Sequence, residues 1–115
     1  MTYVTGFLTP VPTANKERYI KSAADGWEMF KKYGALEMVE AWGDNIEEGK
    51  TTDFKRAVKL EEGEQVVFSW ILWPDRATAD AAWEKMQNDP AMAEFDMPFD
   101  GKRMMWGGFE PVFKG

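Results

Sequence analysis

The chain has 115 residues, 44% hydrophobic and 30% charged, with an aromatic share of 15% and a net charge of −6. That length predicts one domain spanning residues 1–115, able to bury a core without cross-links. The acidic balance, 20 Asp and Glu against 14 Lys and Arg, argues against nucleic-acid phosphates and anionic membranes as partners. No stretch has transmembrane length and no signal peptide is legible, so the expected compartment is the cytoplasm.

In chain order, Tyr3 to Val11 alternates loosely and reads as a strand, closed by Pro10 and Pro12. Thr13 or Asn15 is placed to cap a helix running to about Tyr33, with Tyr19, Ile20, Ala23, Ala24, Trp27 and Phe30 as its apolar stripe. Gly34 suits the left-handed stop. Leu36 to Trp42 is a second strand, and the polar residues 45–53 are a loop. Phe54 to Leu60 reads as a short extra strand and Gln65 to Trp73 as the strongest strand of the chain. Asp75 caps a second helix reaching about Asn88, with Ala79, Ala82, Trp83 and Met86 inward. Pro90 opens a helical turn carrying Met92 and Phe95, and Lys102 to Phe113 is the last strand. The order predicts an α+β domain of the ferredoxin-like, split βαβ kind: an antiparallel sheet with two helices on one face.

Two helices cover one face of such a sheet. In the run Val66 to Trp73, Val66, Phe68, Trp70 and Leu72 point one way and Val67, Ser69, Ile71 and Trp73 the other, so both faces are apolar. A second copy of the chain, packed sheet to sheet, is the simplest cover, which predicts a homodimer. The plainer alternative is a loop folded across that face, for which residues 45–60 are available.

Four stretches stand out together: Val39-Glu40-Ala41-Trp42; Thr52-Asp53-Phe54 with Ala57-Val58-Lys59; Val66 to Ile71; and Met97-Pro98-Phe99-Asp100-Gly101-Lys102-Arg103-Met104 before Gly107-Gly108-Phe109. In order and spacing they resemble the YbaA-like family of bacterial proteins, a domain of unknown function, over nearly the whole chain. The resemblance implies the dimeric α+β barrel form of the ferredoxin-like fold. It implies no activity.

With no His and no Cys, thiol nucleophiles, Ser-His-Asp triads, the usual zinc sites and His- or Cys-held haem are excluded. Acid–base work falls to Asp, Glu, Lys or Tyr. No cofactor and no metal site is expected: a carboxylate-only Mg²⁺ or Ca²⁺ site stays open to such a composition, but neither a Gly-rich phosphate loop nor an EF-hand is present. Glu40 lies in an otherwise apolar strand; if Met38, Glu40 and Trp42 face the space between two sheets, desolvation raises its pKa toward that of a useful acid or base. The competing reading pairs it with Lys102 or Arg103. Asp53, Asp100, Lys102 and Arg103, beside strand ends, are candidates to orient a small anionic or carbonyl-bearing ligand, Arg103 as a bidentate clamp. Alternatively, the aspartates cap turns and the basic pair forms salt bridges. Trp42, Trp70 and Trp106, with Phe68, are either walls for an apolar ligand or core and interface packing.

Two functions compete. The first is a cofactor-independent enzyme on a small, partly apolar metabolite, with Glu40 as general base, Arg103 as electrostatic clamp and Trp42 and Trp70 as walls. The second is a non-catalytic dimeric module that binds a small molecule or a protein.

Overall fold

A computed structural model describes residues 1–115. Strand β1 (Tyr3–Pro12) pairs antiparallel along its whole length with β3 (Glu64–Trp73) at the centre of the sheet. Strand β2 (Glu37–Trp42) lines the free side of β3 and β4 (Met105–Phe109) the free side of β1, giving the order β2-β3-β1-β4, all antiparallel. Helices α1 (Lys16–Lys32) and α3 (Arg76–Gln87) pack on one face of this sheet, where Ile71 and Trp73 meet Ala79, Ala82, Trp27 and Phe30. This is the expected ferredoxin-like arrangement.

Register decides which face each strand residue serves. Met38, Glu40 and Trp42 lie opposite Ile71, Ser69 and Val67, which in turn lie opposite Thr5, Phe7 and Thr9. All of these face the helices. Val4, Leu8, Phe68, Trp70 and Leu72, with Met105 and Phe109, face the other way. Neither α1 nor α3 covers them, and Phe68 and Phe109 are 48% and 59% exposed.

Several boundaries differ from the sequence expectation for identifiable reasons. Residues 54–60 do not form a strand: Phe54–Ala57 is a short helix, α2, because the Asp53 carboxylate accepts the Arg56 backbone N–H at 2.8 Å. This segment still covers one end of the outer face, where Phe54 meets Phe68 edge to face. The last strand stops at Phe109 rather than Phe113, and Pro111 two residues on lacks the N–H to extend it. A 3-10 turn, Thr13–Asn15, precedes α1, and neither Thr13 nor Asn15 caps it through a side chain. The buried residues of α1 are Tyr19, Gly26 and Met29, whereas Ile20 is 52% exposed. Gly34, at φ +108, makes the expected left-handed turn after α1; a Cβ there would meet Thr78 at 2.7 Å.

Candidate functional site

At one end of the space between sheet and helices the packing is closed. Trp73 is fully buried and its indole N–H donates to Thr5 Oγ1 at 3.0 Å, with Phe30 and Trp83 set edge-on to it. Toward the other end the packing opens into a cavity of 240 Å³. Its floor is the sheet (Phe7, Thr9, Met38, Glu40, Ser69 and Ile71), and α1 roofs it with Tyr19, Ser22, Ala23, Gly26 and Phe30. Trp83 and Met86 of α3 close one side, and the segment after α3 contributes Met92, Phe95, Asp96, Met97, Phe99 and Met104.

That segment is a strap, which begins with the 3-10 turn Pro90–Glu94. Helix α1 holds it by side chains. Asn15 Nδ2 donates to Pro98 O at 3.1 Å, Ser22 Oγ to Asp96 O at 2.5 Å, and Arg18 makes two bonds to the Asp96 carboxylate at 2.6 and 3.1 Å. Tyr33 Oη donates to Asp89 at 2.6 Å. Five methionines, from β2, α3 and the strap, therefore enter the cavity wall, a soft and adaptable lining.

Glu40 is the one carboxylate on the cavity floor. Its Oε1 accepts a hydrogen bond of 2.7 Å from Tyr19 Oη, and no cation reaches it. Glu40 is an exposed residue where the cavity opens, yet protein crowds its carboxyl on the remaining sides. That desolvation pushes its pKa above the ordinary carboxylate value, and hydrogen bonds from Tyr19 and Ser69 pull it partly back. Burial, with the neighbouring Glu40 charge, raises the Tyr19 hydroxyl still further from neutrality, so Tyr19 stays protonated and serves as a donor.

Glu40 therefore faces the helices rather than a space between two sheets, and Lys102 and Arg103 do not pair with it. Met38 shares the cavity floor. Trp42, on the same face, packs instead beside Val11, Tyr19 and Val67, with the Lys16 ammonium 5.2 Å from its ring. Trp70 lies on the outer face against Phe68, 5.6 Å between ring centres. Trp106 is an exposed residue of the edge strand β4.

Arg103 is committed elsewhere. Its guanidinium meets Glu64 through two bonds of 2.7 Å, Asp100 at 2.9 Å and the Lys59 carbonyl at 3.1 Å. The pair with Glu64 holds that carboxyl below its usual range and the arginine above its own. Asp100 also accepts the Lys102 N–H at 2.9 Å, and Asp53 caps α2 while accepting Gly49 N at 3.1 Å. Asp53, Asp100, Lys102 and Arg103 do not line the cavity, so the expected convergence of Glu40, Trp42, Trp70 and Arg103 on one space does not occur. The sequence reading missed Tyr19, which it placed in an apolar stripe, and the polar floor pair Thr9 and Ser69.

Fold and cavity together define a ferredoxin-like α+β protein with a ligand-sized space between sheet and helices. Solved structures of this form include a dimeric ferredoxin-like protein from an uncultured marine organism, with TM-score 0.61 and 14% identity over 100% of both chains. Another is SnoaB, a cofactor-independent oxygenase from Streptomyces nogalater, with TM-score 0.55 and 11% identity over 98% of this chain and 95% of that one. At such identity the likeness is one of fold. The chain belongs to the family described as "Protein of unknown function (DUF1428)", which matches residues 2–101. It is 52% identical over 114 residues to the uncharacterized protein YbaA of Escherichia coli, covering 97% of each, and equally similar to YbaA of Shigella flexneri. No helix is long and apolar enough to cross a membrane.

Proposed function

We propose that the cavity binds a small, mostly apolar metabolite and that Glu40 is its proton acceptor, making the protein a cofactor-independent enzyme. The observation that carries this reading is the Glu40 carboxylate, set in an apolar cavity and matched by no cation. A carboxylate so placed is a stronger base than one in water, because protonation relieves its desolvation. The Tyr19 hydroxyl, donating at 2.7 Å, fixes its orientation. SnoaB is described as a cofactor-independent oxygenase, so this architecture accommodates chemistry without a cofactor; the particular reaction does not transfer with the fold.

A specific observation also favours a second reading, a non-catalytic binding module. No Lys or Arg lines the cavity to stabilise an anion formed by proton removal, and the Tyr19 hydroxyl already donates to Glu40. A crystal structure of protein purified from its own host separates the readings. Ligand density with an acidic C–H or O–H within hydrogen-bonding reach of Glu40 supports the enzyme. Density that leaves Glu40 uncontacted supports the module, and a cavity holding only water removes both.

The assembly belongs to the same proposal. The outer sheet face is apolar and covered only at one end, by the α2 segment, and a second copy closes the rest; the ferredoxin-like neighbour from an uncultured marine organism is described as dimeric. Light scattering is expected to give twice the chain mass, and Phe68→Asp to give a folded monomer; a monomeric wild type contradicts the dimer.

A further inference from the structure

The charge of the cavity wall is one-sided. Two carboxylates line it, Glu40 and Asp96, and no Lys or Arg does. Arg18 neutralises Asp96 through a paired contact at the rim. Glu40 has only hydroxyl partners, Tyr19 and Ser69. The cavity thus holds one uncompensated negative charge on its floor. Phe7, Phe30, Phe95 and Trp83 belong to the same cavity lining; aromatic ring faces attract cations and their carbon surface favours a ring.

We infer that the cavity is built for an amine: a compound with a single hydrophobic ring whose ammonium group pairs with the Glu40 carboxylate while the ring packs among the aromatic and methionine side chains. The inference rests on the cavity being a ligand site, which both readings above share, and names the class of ligand; toward an amine Glu40 acts as counter-ion rather than as proton acceptor. Size agrees. A protein cavity of about 150 Å³ holds benzene, so 240 Å³ accommodates a ring with a short aminoalkyl chain. An ammonium supplies the missing countercharge and keeps donors for Thr9 and Ser69 on the same floor. A carboxylate or phosphate ester in the same place would sit beside Glu40 with no cation to offset the repulsion, so acids and phosphorylated metabolites are rejected.

Calorimetric titration with phenethylamine, phenethyl alcohol and phenylacetate, matched in ring and chain, reads the preference directly. At neutral pH the amine is expected to bind about tenfold more tightly than the alcohol, as one charge-assisted hydrogen bond replaces a neutral one, and phenylacetate more weakly than either. In Glu40→Gln the amine falls to the level of the alcohol while the alcohol is unchanged. Retained binding of the alcohol by Glu40→Gln separates the loss of a charge from a variant that is merely misfolded. Lowering the pH from neutrality protonates Glu40 and abolishes the preference. Tyr19 from α1, already protonated, and Asp96 from the strap, paired with Arg18, are the other ionisable groups around the cavity; β1, β3 and α3 present none. Equal binding of all three probes overturns the amine inference and leaves the cavity as a ligand site. Binding of none overturns the inference and the ligand-site reading together.

Discussion

The two ends of the helix-covered sheet face are built from the same strands and behave differently. At one end Trp73 is enclosed by Phe30 and Trp83 and its only polar atom is satisfied by Thr5. At the other, the floor carries Thr9, Ser69 and Glu40, and α1 presents small residues, Ala23 and Gly26, above them. The large rings of Trp73, Phe30 and Trp83 interlock over Ala79 and Ala82 and fill the first region. Small residues facing polar ones leave the second open, and the open region contains the carboxylate whose desolvation costs stability. The closed end stabilises the fold, and the open end leaves the cavity to which the proposed function assigns a ligand.

Three substitutions break or sharpen that contrast. Trp73→Ala is expected to cost about 3 to 5 kcal/mol, the range for deleting a large buried aromatic, and chemical denaturation measures it; a loss as small as that of a surface change would mean the closed end is not the core. Gly26→Ala, in the roof of the open end, is expected to stabilise by about 0.5 to 1 kcal/mol through helix propensity. A Cβ there finds ordinary contacts, 3.7 Å to Phe30 and 3.8 Å to Phe95. The same change at a tightly packed position would destabilise, so thermal melting distinguishes an open roof from a closed one.

The smallest effect carries a sign. Because the folded-state pKa of Glu40 is raised, protonation favours the folded protein: the contribution is present below the unfolded pKa and is lost as pH rises through the folded value. Glu40→Gln is therefore expected to melt slightly higher than wild type at neutral pH and to match it in acid. A variant less stable than wild type at every pH would show that the carboxylate holds the fold together rather than burdening it.

The sequence made the sheet and its two apolar faces legible because period-2 alternation in Val66 to Trp73 is a direct consequence of strand geometry. Glu40 was visible for a similar reason, as a charge among apolar neighbours. Its surroundings were not, since they depend on register. Only the pairing of Glu40 with Ser69 places it on the helix side, opposite in parity to Trp70, and separates two residues expected to share a space. Arg103 went astray differently: three acidic groups, Glu61, Glu64 and Asp100, lie within reach of it, and Glu61 and Glu64 are distant in sequence. Phe54 to Leu60 has the composition of a strand, but the cap from Asp53 turns it into a helix. Tyr19 fell within a helical stripe, where a phenol reads as core; its hydroxyl becomes significant once an acceptor is known to lie across from it.

The central contrast is electrical as well as steric. Glu64 is matched by Arg103, and Glu40 by nothing charged. Carbon-13 NMR titration of the glutamate side-chain carboxyls, with Glu40 and Glu64 assigned by substitution, tests it most directly. The account predicts that Glu40 titrates above the exposed glutamates and Glu64 below them, and that phenethylamine moves the Glu40 midpoint down while leaving Glu64 in place. A Glu40 that titrates together with the exposed glutamates, and does not respond to the amine, would contradict it.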